Sequence, residues 1–225
     1  MPETWTSAMI AASTDHTLLK AIATENQVIS MCREAKLYAL KAVCVNPYWV
    51  STCARELAGS EVFIVTVVGF PLGATSTVAK SEEARHAVEE GAREIDMVIN
   101  IGKAKTGDWT AVQDDIAAVV HASKPAIVKT IIETCYLTKD EKVAACRAAV
   151  AAGAAFVMTS TGFGTGGATV EDIRLMKEAV GDRALVKASG GIKTYEDAVA
   201  LLEAGASRIG ASAGVAIIRG AESQA

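Results

Sequence analysis

Residues 152–158, Ala152-Gly153-Ala154-Ala155-Phe156-Val157-Met158, pass from a helical pattern into an apolar run of strand length. The glycine supplies the left-handed backbone that commonly ends a helix, and the apolar run follows at once. The same junction recurs at Glu90-Gly91-Ala92 and at Ala204-Gly205-Ala206, each time leading into another apolar run. Working outward from these turns, strand-length runs are expected at Ile10–Asp15, Ala42–Val45, Phe63–Val68, Ile95–Ile99, Ala126–Ile132, Ala155–Met158, Ala184–Lys187 and Arg208–Gly210. Between them, Ser81–Glu90, Ala111–His121, Lys139–Ala151, Val170–Ala179 and Tyr195–Glu203 carry helical periodicity. Strands so uniformly apolar belong to a parallel sheet covered by helices. Their number and alternation predict an α/β fold, a (β/α)₈ TIM barrel forming one domain over residues 1–225. A doubly wound open sheet is the rival architecture.

Composition narrows the function. The 225 residues are 51% hydrophobic and 21% charged, with 22 Lys+Arg against 26 Asp+Glu and a net charge of −4. No basic stretch concentrates the cations, which argues against a nucleic-acid partner. Met1–Ile10 lacks a basic segment followed by an apolar one, so no secretory signal is expected. Ala144–Met158 is the most apolar region, but it contains Arg147 and Gly153 and is too short to cross a bilayer, so no membrane association is expected. The cysteines, Cys32, Cys44, Cys53, Cys135 and Cys146, form no CxxC pair. A disulfide scaffold and a structural zinc site are not expected, and a cytoplasmic location is.

In a barrel of this kind the site lies at the C-terminal ends of the strands, where inward positions alternate. One face of residues 94–100 carries Asp96, Val98 and Asn100; one face of residues 128–133 carries Lys129, Ile131 and Glu133. On the next strand but one, Lys187 shares a face with Leu185 and Ser189. Each of these ionised groups, taken alone, is explained by an internal salt bridge. Their gathering on several strands points to a site, because active sites collect groups with shifted pKa values. Glycine-bearing turns follow the late strands at Thr161–Gly167, Ser189–Thr194 and Gly210–Gly214. Free backbone amides at such turns bind phosphate, and the loops after the last two strands are where barrels place it. The GxGxxG-like string at Gly162–Gly167 lies too late in the chain for a dinucleotide fingerprint. His86 and His121 are expected on exposed helix faces, and His16 at the mouth of the pocket. Cys44 is expected to be a core thiol, not a nucleophile. Trp5, Trp49 and Trp109 show no spacing suited to base stacking.

Several of these segments resemble the 2-deoxyribose-5-phosphate aldolase family. They are Asp15-His16-Thr17-Leu18-Leu19, Val43-Cys44-Val45-Asn46-Pro47, Val68–Gly73, Glu94–Asn100, Ile131-Ile132-Glu133-Thr134, Thr159-Ser160-Thr161-Gly162-Phe163, Lys187–Ile192 and Arg208–Ser212. The resemblance runs in family order along almost the whole chain. It implies a class I aldolase that needs no cofactor or metal and joins acetaldehyde to glyceraldehyde 3-phosphate reversibly through a lysine Schiff base. It also implies small aldehyde and sugar-phosphate partners and a homo-oligomer, dimer or tetramer. By resemblance, Asp96 is the proton-transfer aspartate and Lys187 the second lysine, which lowers the nucleophile's pKa. Thr161, Gly162, Gly190, Gly191, Gly210 and Ser212 match positions around the substrate and its phosphate, with Lys193 near it and Asp15 another polar pocket residue. Cys44 and Lys129 are further pocket candidates.

The position of the Schiff-base lysine is occupied by Met158. Methionine matches lysine in length but forms no imine at any pH. In an otherwise complete pocket the replacement reads as deliberate, silencing the aldolase or redirecting it. Two outcomes follow from the residues: the chain binds sugar phosphates or aldehydes without turnover by the iminium route, or Lys187 or Lys129 takes over as nucleophile. A non-catalytic sugar-phosphate-binding barrel, and a phosphate-binding barrel enzyme acting on another sugar phosphate, are the alternative readings.

Overall fold

The computed structural model describes residues 5–223. Its strands are β1 (Thr14–Leu18), β2 (Ala42–Val45), β3 (Phe63–Val68), β4 (Glu94–Val98), β5 (Ile127–Ile131), β6 (Phe156–Met158), β7 (Leu185–Ser189) and β8 (Arg208–Ala211). All pair in parallel with their sequence neighbours, and β8 pairs with β1 through Asp15↔Gly210, closing the ring. Closure excludes the open sheet. The helices are α1 (Ser7–Ala12), α2 (Glu25–Leu37), α3 (Val50–Glu56), α4 (Thr77–Glu89), α5 (Ile101–Lys105), α6 (Trp109–Ala122), α7 (Lys139–Ala151), α8 (Val170–Val180), α9 (Tyr195–Glu203) and α10 (Gly214–Glu222). Among the described residues, no helix is long and apolar enough to cross a membrane.

The expected first strand, Ile10–Asp15, is corrected. Residues 7–12 form α1, whose N-terminal turn is capped by the Thr6 hydroxyl accepting from the Met9 amide at 3.3 Å. Ala8, Ala11 and Ala12 favour a helix, and the cap opens it before β-branched Thr14 begins the strand. The Gly91, Gly153 and Gly205 turns have φ of 116°, 86° and 117°, the region that glycine enters without steric cost.

Strand alternation divides the interior into two layers. Val43, Val45, Ile64, Ile95, Met97, Val157, Val186 and Ile209 face outward and join the core beneath the helices. Ala42, Cys44, Val65 and Val67 face inward, as do Val98, Ile131 and Met158 in a separate apolar cluster. Each fully buried Ile or Met in the outer layer contributes about 1.5–3 kcal/mol by leaving water. The helices are closed locally: Thr138 and Glu141 form a reciprocal cap at α7, and Ser76 caps α4. A buried pair, Lys80 Nζ to Asp115 Oδ2 at 2.6 Å, ties α4 to α6 outside the barrel.

Candidate active site

Charged residues on inward-facing strand positions meet inside the ring. Lys187 on β7 donates to Asp15 Oδ2 on β1 at 2.5 Å and to Asp96 Oδ2 on β4 at 2.6 Å. Lys129 on β5 reaches Asp96 Oδ1 at 2.8 Å and Glu94 Oε2 at 2.6 Å. Arg208 at the start of β8 donates to Asp15 Oδ1 at 2.6 Å and to both oxygens of Glu94 at 3.1 and 3.2 Å. The three cations, Lys129, Lys187 and Arg208, therefore balance three carboxylates, Asp15, Glu94 and Asp96. All six side chains are buried. Charges this far from water are tolerable only when paired and hydrogen-bonded, and here each is.

The balance sets the protonation states. Burial works against the Lys187 charge, but attraction to Asp15 and then Asp96 outweighs it and holds the pKa above that of an ordinary lysine. Burial likewise penalises ionised Asp15, yet Lys187, Lys129 and Arg208 together hold its carboxyl well below the usual range. The Cys44 thiol is pushed up to about 12, first by burial and then by the nearby Asp96 carboxylate, so it is a protonated wall residue.

Above this floor a cavity of about 370 Å³ opens at the C-terminal ends of the strands. Asp96, Lys187, Met158 and Cys44 line its base; Thr161, Gly162, Gly190, Gly191, Lys193, Gly210 and Ser212 line its rim. Met158 and Lys187 are register partners on adjacent strands, and Ile131 pairs with Met158 on the other side. Lys187 lies across β8 at Gly210, where an added Cβ would sit 3.0 Å from its Cε. Gly162, Gly190 and Gly191 have φ of 84°, 86° and 81°. The amides of these glycines and of Ser212 donate to no acceptor among the described residues, leaving a ring of free N–H groups suited to an anion.

Of the sequence-derived site residues, Asp15 and Lys129 do not line the cavity. They stand below it, gripping Lys187 and Asp96. His16 is corrected: its side chain leaves the opposite face of β1 and its Nε2 lies 2.9 Å from Glu34 on α2, because Asp15 takes the inward position beside it. Asn100 caps α5, its side chain accepting from the Lys103 amide. Glu133, expected on the inward face of β5, turns to Thr161 instead. Sequence reasoning missed Glu94 and Arg208, although Glu94 lies one step of alternation back from Asp96 and Arg208 one step back from Gly210. It also missed Phe70 as a cavity wall.

Residues 9–220 match the model of a family described as DeoC/LacD family aldolase. The chain belongs to this family. It is 58% identical over 206 residues to a deoxyribose-phosphate aldolase of Streptococcus uberis, covering 92% of this chain and 94% of that one. A deoxyribose-phosphate aldolase of Carboxydothermus hydrogenoformans is 57% identical over 218 residues, with 95% and 96% covered. Among solved structures, a putative deoxyribose-phosphate aldolase from Coccidioides immitis superposes with a TM-score of 0.94 at 44% identity, covering 100% of this chain and 88% of that one. The deoxyribose phosphate aldolase from Aeropyrum pernix, described as a unique tetramer, gives 0.90 at 31% identity, with 98% and 94% covered. The fold and the family are those of class I aldolases, carbon–carbon lyases of deoxyribose phosphate.

Proposed function

We propose that this chain binds 2-deoxyribose 5-phosphate, or the aldehydes formed from it, and does not cleave it through a Schiff base. The observation that carries this reading is Met158, which lines the cavity as the register partner of Lys187 at the position where the family resemblance calls for a lysine amine. In the family's chemistry such an amine adds to the C1 carbonyl and loses water to give an iminium. A base then takes the proton of the C3 hydroxyl, the C2–C3 bond breaks, and its electron pair enters the iminium as an enamine. The Met158 thioether has no proton to lose and forms no such bond. Lys187 is a poor replacement, since two carboxylates hold it as an ammonium. Lys129 lies beneath the floor and is engaged by Glu94 and Asp96. In this reading Asp96 and Lys187 remain a proton-transfer pair without a nucleophile to serve. The free amides of Gly162, Gly190, Gly191 and Ser212, with Lys193 beside them, take the phosphate.

The experiment is a retro-aldol assay of the chain and of Met158→Lys, with acetaldehyde and borohydride trapping followed by mass spectrometry. The parent chain is expected to bind 2-deoxyribose 5-phosphate calorimetrically with no turnover and no reduced adduct, whereas Met158→Lys cleaves it. A reduced adduct on Lys187 or Lys129 of the parent overturns the reading. We further assign the chain to the cytoplasm, supported by its free cysteines, and to a homo-oligomer, supported by the tetrameric Aeropyrum pernix relative.

A further inference from the structure

Glu133 carries a carboxylate for which the charge network has no use. It is 1% exposed, and no ion pair among the described residues includes it. Its backbone adopts φ 55° and ψ 69°, a left-handed conformation disfavoured for any residue with a Cβ. An unpaired carboxylate out of water and a strained backbone are both costly, and segments that only need holding down are more cheaply held by apolar packing.

Apart from the Cys135 thiol, which approaches Oε1 at 3.9 Å, the carboxylate is spent on one loop, the connection from β6 to α8. Its Oε1 accepts from the Thr161 amide at 3.2 Å, and its Oε2 accepts from the Thr161 hydroxyl at 2.5 Å. The Thr161 hydroxyl oxygen in turn accepts from the Phe163 amide at 3.0 Å. Gly164 then lies flat against this anchor, where an added Cβ would meet Cys135 Sγ at 2.8 Å and Glu133 Cδ at 3.2 Å. Fixed in this way, the Phe163 ring stands edge-on to Phe70, with centroids 5.4 Å apart and planes at 89°. Phe70, on the loop after β3, packs on the apolar cluster that contains Met158. Both rings line the cavity.

We propose that Glu133 is a positioning residue of the ligand site, which fixes Thr161 and, through its hydroxyl, the Phe163 amide, and so sets Phe163 against Phe70 as the aromatic edge of the cavity beside residue 158. Glu133 touches no ligand itself. Its effect on ligand affinity rests on the sugar-phosphate reading above; its effect on the loop does not.

The test measures amide hydrogen exchange of Thr161 and Phe163, and calorimetric affinity for 2-deoxyribose 5-phosphate, in the full chain. Glu133→Gln keeps the size but turns an N–H donor toward one of two donors. It is expected to speed exchange at Thr161 and Phe163, leave the strands unchanged, and weaken binding about tenfold, the usual scale for a lost bond to a charged group. Thr161→Val is expected to speed exchange at Phe163 as Glu133→Gln does, and Glu133→Gln/Thr161→Val to exchange no faster there than either alone. Unchanged exchange in folded Glu133→Gln overturns the proposal, as do losses that add in the double variant. If Glu133→Gln does not fold, exchange at Phe163 in Thr161→Val decides the same bond from its other end, and a rate equal to the parent's overturns the proposal. If the parent binds no sugar phosphate, the proposed function fails, and the exchange rates still decide the role of Glu133.

Discussion

Of the three lysines shut away from water in this barrel, Lys80 and Lys187 are built for different ends. Lys80, on α4, gives its ammonium to Asp115 Oδ2 at 2.6 Å and to the Val98 carbonyl at 2.9 Å, with helices on one side and the sheet on the other. Asp115 is completed by the Thr77 hydroxyl at 2.8 Å. Lys187 is as deeply buried, but it bridges two carboxylates from different strands and borders a cavity. Burial of a charge therefore does not mark a site by itself. What separates the two is an open side: Lys80 is enclosed by groups that satisfy it, whereas a small ligand can reach the pair formed by Lys187 and Asp96. Lys80 serves the loop indirectly, since Gly69 packs on its stem, where a Cβ would approach Lys80 Cε to 2.8 Å.

The largest expected effect restores the nucleophile. Met158→Lys sets a second amine beside Lys187, whose positive charge lowers the newcomer's pKa and frees it for attack. Retro-aldol turnover of 2-deoxyribose 5-phosphate is expected to rise from background by several powers of ten, roughly the scale on which removing a covalent nucleophile is felt elsewhere. A restored chain that stays inactive while binding the sugar phosphate would mean that Lys187 and Asp96 are as purely structural as Lys80 and Asp115, and the contrast would collapse.

The next effect separates stability from function. Lys80→Met and Lys187→Met each strand buried carboxylates, and each is expected to cost about 3–5 kcal/mol in denaturant unfolding. Adding Asp115→Leu to Lys80→Met is expected to recover most of that loss, because an isolated pair can be replaced by apolar packing. Lys187 has no such single-partner repair, since Asp15 and Asp96 both depend on it. In the Met158→Lys background, Lys80→Met is expected to retain turnover once folded, and Lys187→Met to abolish it. Loss of turnover in both would show that the two sites are coupled.

How much of this the sequence carries depends on the range of the cause. Glycine at Gly91, Gly153 and Gly205 acts within a few residues, so the helix-to-strand turns were readable, and with them the barrel. Alternation along β4 and β7 put Asp96 and Lys187 on the inner face for the same local reason. The first strand misled because Ile10 suits a strand as well as a helix, and the deciding events are the Thr6 cap before it and the pairing of β1 with both β2 and β8. Glu133 misled because the alternation ends where its φ turns positive, which no periodicity registers. The meeting of Phe70 with Phe163 joins loops that only the closed ring brings together. Arg208 reads from the sequence as a strand position and nothing more, since its partners Asp15 and Glu94 lie on strands far away in sequence.

The smallest expected effect is a pH dependence of stability arising from the floor. Asp15 has its pKa depressed in the folded chain, so the folded state binds fewer protons than the unfolded one between the two values. Its stabilising contribution is therefore complete above the ordinary aspartate range, near pH 4, and is lost as the pH falls toward the folded value. Lys187 has the opposite sign. Its raised pKa gives a contribution complete below the ordinary lysine value, near pH 10, and lost only as the pH climbs from there toward the folded value. The floor should accordingly leave stability flat between about pH 5 and pH 9 and erode it on both sides. Denaturant midpoints measured from this plateau down through the acid limb, in the parent and in Asp15→Asn, check the assignment. Asp15→Asn is expected to be less stable at neutral pH, because Lys187 and Arg208 lose a counter-charge, and to show a shallower decline below pH 4. An acid limb of equal slope in both would move the titrating group away from the floor, and a steeper one would mean that Asp15 is already protonated when folded.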